Sequence, residues 1–414
     1  MNFGAARAGS SRTGVGGHDV AVGPPQLRVP VEPPGRRLDP AGRLLLRILA
    51  SGPAPPAEDI RAASEALVDW AVDQRVTGLL HVGAGVELAQ EAGARLTELT
   101  LADVGNHLRA LLVLERLGRV LEVDEHPWVV LKGPVLAETA YAGVSRPYSD
   151  LDLLVSPARF RTALERLEHA GVELIDRNWD LLMRDGRAQV GLKDGSTGMT
   201  VDLHWHLVNL ARLRHTFELP TEELLERRVM LRIRQLTAPA LDRTDRVVHY
   251  ALHGAISGGH RLVWLADLAQ ALEKDPPEWD ELVCRCRRWK VGLPVAVMLA
   301  RVEATLGSEV PGGVVGALAG TRAGRWLTDW LTVWEPGGRL PGRGSLRHGV
   351  TGSLAGSLAA TARLTGLSGA AMVRRLWDRH PHWLDPEDPA HVEYDAGGRP
   401  GRERYLSGVA TGAA

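Results

Sequence analysis

The sequence predicts an α+β fold, a mixed sheet with flanking helices set between N-terminal and C-terminal helical regions. Two observations of pattern and one of size lead there. Apolar residues recur three and four apart before residue 122 and again after residue 239, which is the helical period. Between them the chain breaks into short apolar runs closed by Gly-Pro or Ser-Pro, the mark of buried strands. At 414 residues with 44% apolar side chains, the chain is longer than one hydrophobic core usually serves and has enough apolar surface for several.

Residues 1–38 hold Gly14 to Gly17, Pro24-Pro25 and Pro33-Pro34 and few large apolar side chains in a row. Such a stretch cannot offset the entropy lost on ordering, so a disordered leader is expected. It lacks the apolar core of a secretion signal, and no apolar run in the chain approaches the ~18 to 20 residues of a membrane span. A helical region is expected over 39–122. Asp39-Pro40 supplies an N-cap and a first-turn proline ahead of Leu44, Leu45 and Ile48. Helical spacing returns through Ile60, Leu67, Trp70 and Ala71, then through Leu101, Val104, Leu108, Leu111, Leu114 and Leu117.

An α/β core is expected over 123–238. Strands are predicted at Trp128 to Leu131 and Leu151 to Val155, each followed by a helix start, with Pro134 after the first and a Ser156 cap with Pro157 after the second. Further strands are expected at Val172 to Ile175, Asp180 to Arg184, Ala188 to Leu192 and Met199 to His204, with Asp185-Gly186 as a hairpin turn. The period returns to helical over 239–335, in Asp242 to Gly254, Leu262 to Leu272, Trp279 to Trp289 and Pro294 to Leu306. Gly and Pro clusters then loosen the chain, so 336–414 is expected to hold loosely ordered helices, one near 353–378, and a polar tail.

Charge excludes several functions. Lys and Arg number 49 against 50 Asp and Glu, a formal net charge of −1, so no overall field draws in anionic lipid or a long nucleic acid. The two cysteines, Cys284 and Cys286, stand one residue apart, where a disulfide is strained, and a reducing cytoplasm is the natural setting. On a helix they diverge by roughly 200°, so they cannot face one metal together.

The chemistry concentrates in Ser149-Asp150-Leu151-Asp152-Leu153-Leu154-Val155. In a strand Asp150 and Asp152 point to one side. Two carboxylates held so close repel unless a cation lies between them, and paired hard oxygens suit Mg²⁺. Alone, Asp-X-Asp at a strand edge is most often solvated. Val201-Asp202-Leu203-His204-Trp205 adds a third carboxylate on a second alternating strand, and three such groups can hold two Mg²⁺ ions about 3.5 to 4 Å apart. Lys132-Gly133 closes the first strand and opens a helix whose free N–H groups favour a phosphate. Lys132 is one of only four lysines in the chain, a scarcity that a general preference for arginine also explains.

His204 and His206 lie on the strand side of Asp202, and His249 and His253 share a helix face. A zinc site from these histidines is the weaker expectation, because no acid separates His249 from His253 in the zinc-hydrolase pattern. His204 is better placed to shape the metal or acceptor pocket.

The segments Val130-Leu131-Lys132-Gly133, Arg146-Pro147-Tyr148-Ser149-Asp150-Leu151-Asp152 and Val201-Asp202-Leu203-His204-Trp205 together resemble a bacterial nucleotidyltransferase family of the DNA polymerase β superfamily. The helices before Val129, and His249, His253 and Leu262-Val263-Trp264-Leu265-Ala266-Asp267 after the core, extend the likeness over residues 60 to 310. The resemblance implies a polymerase β-like sheet in which Asp150, Asp152 and Asp202 bind two divalent metals, Mg²⁺ with Mn²⁺ as a substitute. It also implies a nucleoside triphosphate such as ATP as donor, with Lys132, Gly133, Arg146, Ser149 and His204 lining the pocket. A nucleotidyl group would pass to an acceptor on a small molecule, peptide or protein that the sequence does not name. One departure bears on this chemistry. The superfamily places a second Gly or Ser in the phosphate turn, where this chain has Pro134 and so lacks an N–H. Lys132 and a forked contact from Arg146 are the expected replacements. The rival expectation is a binding or adaptor protein that no longer takes triphosphate.

Overall fold

A computed structural model describes residues 38–122, 127–209, 211–214, 216–259, 261–332 and 387–411. The expected leader, apart from a buried Leu38, and the helix expected at 353–378 fall outside these residues.

Five helices open the chain: α1 (Pro40–Leu49), α2 (Ala57–Ala62), α3 (Ser64–Gln74), α4 (Thr77–Ala84) and the long α5 (Gln90–Leu121). The start of α1 follows its sequence signal. Asp39 accepts the Gly42 N–H at 2.8 Å, Pro40 sits in the first turn, and Trp70 donates its indole N–H to the other Asp39 oxygen at 2.9 Å. The next stretch carries β1 (Trp128–Val130), α6 (Lys132–Thr139), β2 (Asp150–Val155), α7 (Phe160–His169), β3 (Val172–Leu174), α8 (Trp179–Asp185), β4 (Gln189–Asp194) and β5 (Thr200–His204). Two short helices, α9 (Ala211–Arg214) and α10 (Thr221–Glu226), lead to the hairpin of β6 (Val229–Ile233) and β7 (Leu236–Ala240). Helices α11 (Arg243–Ile256), α12 (Leu262–Lys274), α13 (Trp279–Arg288), α14 (Gly292–Leu306), α15 (Val314–Ala319) and α16 (Arg322–Thr332) follow, and α17 (Gly398–Thr411) closes the described chain.

The seven strands form one mixed sheet in the order β3-β4-β5-β2-β1-β7-β6. Strand β2 runs parallel to β5 and antiparallel to β1, and β1 runs parallel to β7. Alternation along each strand divides the side chains between two layers. Leu151, Leu153, Val201 and Leu203 pack with Leu114 and Leu117 of α5, Phe160 and Leu164 of α7, and Tyr405 of α17. On the other face Val129 and Leu154 pack against Val247, Val248 and Ala251 of α11, within the core shared by α12 to α14. A third cluster joins Leu45, Leu67 and Leu80 of the leading helices to Leu262, Val263 and Ala266 of α12. No helix among the described residues is long and apolar enough to cross a membrane.

Several elements differ from expectation for identifiable reasons. Asp180 to Arg184 is helical because Asn178 caps the Leu181 N–H at 3.0 Å and Gly186, at φ 53°, ends α8 in a left-handed turn. Gly186 therefore terminates a helix and makes no hairpin. Ser156 leaves the following turn uncapped and donates its hydroxyl to Glu222 at 2.6 Å. The hairpin β6–β7 has no predicted counterpart. Helix α17 departs from the loosely ordered tail expected there. Its Tyr405 is fully buried, donates to the Arg187 carbonyl at 2.8 Å and accepts from Trp205 at 3.2 Å.

Candidate active site

Sheet register builds the site. Asp152 of β2 stands directly beside Asp202 of β5, with Asp150 two residues back on the same face of β2. Leu151 and Leu153, pointing the other way into the core, fix which face the acids take. His204, one side-chain step beyond Asp202, places Nε2 3.0 Å from Asp152 Oδ1. Lys132, where β1 gives way to α6, places Nζ 3.2 Å from Asp152 Oδ2. Gln189 of β4 donates to Asp202 Oδ2 at 3.0 Å.

Ligand atoms of Asp152, Asp202 and His204 all lie within 4.8 Å of one another. Asp150 borders this group without joining it. Burial drives the Asp202 carboxyl up to about 7, with Asp152 and Asp150 adding to the rise against His204. Burial and the Asp152 charge raise Asp150 as well, against Lys132, Arg146 and Arg75. Burial also works against an ionised Asp152, yet Lys132 and His204 hold it well below the usual carboxylate range. One anion is thus fixed between two cationic or donor groups, while its two neighbours resist ionisation. A cation bound among these oxygens would relieve that resistance, and the oxygen and imidazole donors suit a divalent metal.

The other expected residues are distributed differently. Gly133 is buried where α6 departs from helical geometry, with the Tyr148 ring packed against it. Pro134 is buried just beyond it, and Ser149 is exposed next to Asp150. Arg146, expected to make a forked phosphate contact, makes its fork with a carboxylate. Its Nε and Nη2 donate to Asp267 Oδ1 and Oδ2, both at 2.7 Å, and Tyr141 donates to the same carboxylate at 2.8 Å. Only Nη1 of Arg146, buried and without a hydrogen-bond partner among the described residues, stays unused.

Of the four histidines considered, only His204 stands in the acid cluster. His206 accepts the Val208 N–H at 2.9 Å and is pushed down to about 3 by burial and the Arg214 charge. His249 and His253 look toward the site from α11. Burial first and Lys132 second push His249 down to about 3 and His253 well below its ordinary value, so both are neutral. Sequence reading missed Gln189, whose role depends on β4 pairing with β5 and which no local signal marked. Asp267 entered only as part of the trailing helical likeness, and its pairing with Arg146, 121 residues away, was not foreseen.

A model of the family described as uncharacterised nucleotidyltransferase matches residues 61–307, from within α2 to the end of α14. The chain belongs to this family. As a member it is classed among transferases of nucleotidyl groups. No curated protein matches the chain. The nucleotidyltransferase match takes in the acid cluster and the helices on both sides of it, and it ends before α17.

Proposed function

We propose that the chain is a divalent-metal-dependent nucleotidyltransferase that moves an NMP group from an NTP to a hydroxyl or similar acceptor on a small molecule, peptide or protein. Pyrophosphate is the product that leaves. The observation that carries this reading is the adjacency of Asp152 and Asp202 with His204 in one compact donor set. Asp152, Asp202 and Asp150 would hold Mg²⁺, two ions in the full arrangement, with His204 completing or bordering the set. The metal supplies positive charge to the reacting oxygens when bound.

The chain's own groups have separable tasks. Lys132 and His204 orient Asp152 and keep it ionised. Gln189 fixes the rotamer of Asp202 through one oxygen and leaves the other free to receive the acceptor proton. Residues near the start of α6 face the phosphates. Turnover with labelled NTPs and Mg²⁺ in the presence of cell extract, followed by mass spectrometry of the labelled product, tests the activity and names the acceptor.

A second reading, an adaptor that has lost catalysis, is favoured by Pro134 in the phosphate turn and by the commitment of Arg146 to Asp267. Calorimetry with each NTP and Mg²⁺ separates the two. Saturable, metal-dependent binding supports the transferase, and no heat with any nucleotide supports the adaptor.

A further inference from the structure

The two groups expected to replace the missing N–H of Pro134 are both engaged elsewhere. Lys132 is paired with Asp152, and two of the three Arg146 nitrogens are bound to Asp267. Beside the Mg²⁺ proposed above, a triphosphate still takes protein donors for its outer phosphates, so a further basic group near Asp150 would serve it.

The turn between α3 and α4 offers one. Arg75 caps α3 in the left-handed conformation, φ 56° and ψ 45°, which a residue other than glycine adopts uncommonly. The turn around it is held at three points. Gln74 accepts the Leu262 N–H at 3.0 Å, tying the turn to α12. Thr77 donates to Asp103 of α5 at 3.0 Å. Gly78 lies so close to the segment leading into β2 that a Cβ there would stand 1.9 Å from the Ser145 carbonyl oxygen. The turn is therefore docked on the segment that leads into β2 and Asp150.

Arg75 is exposed, and among the described residues its guanidinium makes no hydrogen bond or ion pair. Its charge nevertheless reaches Asp150 and Asp103. A turn anchored on the approach to Asp150 can hold an arginine where it would meet a phosphate bound beside that carboxylate.

We propose that Arg75 is a phosphate-binding residue of the nucleotide site, meeting the β- and γ-phosphates of the donor from the α3–α4 turn. This rests on the transferase reading and supplies the phosphate contact that Pro134 cannot make. Chemically, a planar guanidinium gives two parallel N–H donors to two phosphate oxygens, which a lysine cannot reproduce.

The test uses the full-length chain and its Arg75→Gly and Arg75→Lys variants. Glycine keeps the left-handed backbone at no steric cost while deleting the cation, so the turn itself is preserved. Equilibrium binding is measured with Mg²⁺ and each NTP, the matching NMP, and inorganic tripolyphosphate. The expected result is a roughly tenfold or greater loss of NTP and tripolyphosphate affinity in Arg75→Gly. NMP affinity and melting temperature should stay unchanged, and Arg75→Lys should recover part of the loss. Unchanged NTP affinity in Arg75→Gly overturns the inference and leaves the transferase reading standing. An equal loss for NMP, or a lower melting temperature, marks a structural role and also overturns it. Failure of the unmodified chain to bind any NTP removes the transferase reading and this inference together.

Discussion

Asp152 on β2 and Asp202 on β5 are nearest neighbours across a parallel strand pair, yet they are driven in opposite directions, Asp152 toward the charged form and Asp202 toward the neutral one. The difference lies in their partners. Burial works against the charge of both, but Lys132 and His204 bond directly to Asp152. Asp202 bonds instead to a neutral amide, Gln189, and burial with the field of its acidic neighbours outweighs the His204 charge. Without a metal, one carboxyl of the pair is thus a fixed anion and the other holds its proton up to near neutral pH.

Replacing one of the acids should remove chemistry and spare the fold. Asp152→Asn and Asp150→Ala are each expected to abolish nucleotidyl transfer, read as incorporation of labelled NMP, with an unchanged circular dichroism spectrum. Wild-type turnover in both variants would refute the metal assignment.

The raised Asp202 has a stability consequence whose sign is fixed. Its folded-state value, about 7, exceeds the ordinary 3.8, so between these values the folded chain holds a proton that the unfolded chain has released. Stability of the metal-free protein should fall as pH rises through this window, by up to a few kcal/mol of the order set by the shift. Asp202→Asn should flatten that decline, and Mg²⁺ should counter it in the wild type alone. Urea melts at pH 5 and pH 8, with chelator and with Mg²⁺, provide the measurement. A decline of equal size in Asp202→Asn would contradict it.

Breaking the Arg146–Asp267 pair should damage the fold more than the chemistry. Asp267→Ala leaves a buried guanidinium without its counter-ion, a loss of about 3 to 5 kcal/mol in denaturant unfolding. Arg146→Lys cannot reproduce the two parallel contacts and should lie between the two. If Asp267→Ala unfolds at the wild-type denaturant concentration, the pair is not structural.

Helix α17 should be integral to the core. Tyr405→Ala empties a fully buried site between Phe160 and Trp179 and should cost about 3 to 5 kcal/mol. Tyr405→Phe keeps the ring and loses the hydroxyl's contacts with Arg187 and Trp205, about 1 to 2 kcal/mol. Thermal melts of the two variants discriminate burial from hydrogen bonding, and equal melting temperatures for Tyr405→Ala and the wild type would show that α17 is dispensable.

Parts of this were legible from local pattern alone. Asp39-Pro40 announced α1, Asp242 announced α11 by capping the Asp245 N–H at 2.8 Å, and the alternation in Asp150 to Val155 placed two carboxylates on one face. Where local pattern misled, a nearby cap decided. Leu181-Leu182-Met183 is a short apolar run like that of a buried strand, but Asn178 before it and Gly186 after it bound a helix.

What the sequence by itself determined were the element types along most of the chain and the shared face of Asp150 and Asp152, because backbone period and capping act within a few residues. Only the tertiary structure decided that β5 lies beside β2, that Gln189 holds Asp202, that Asp267 takes the fork of Arg146, and that α17 returns to the sheet. Each of these joins residues far apart in the chain, and the packing of the whole core selects them. A buried charge or ring finds its partner only after the layers carrying both have come together.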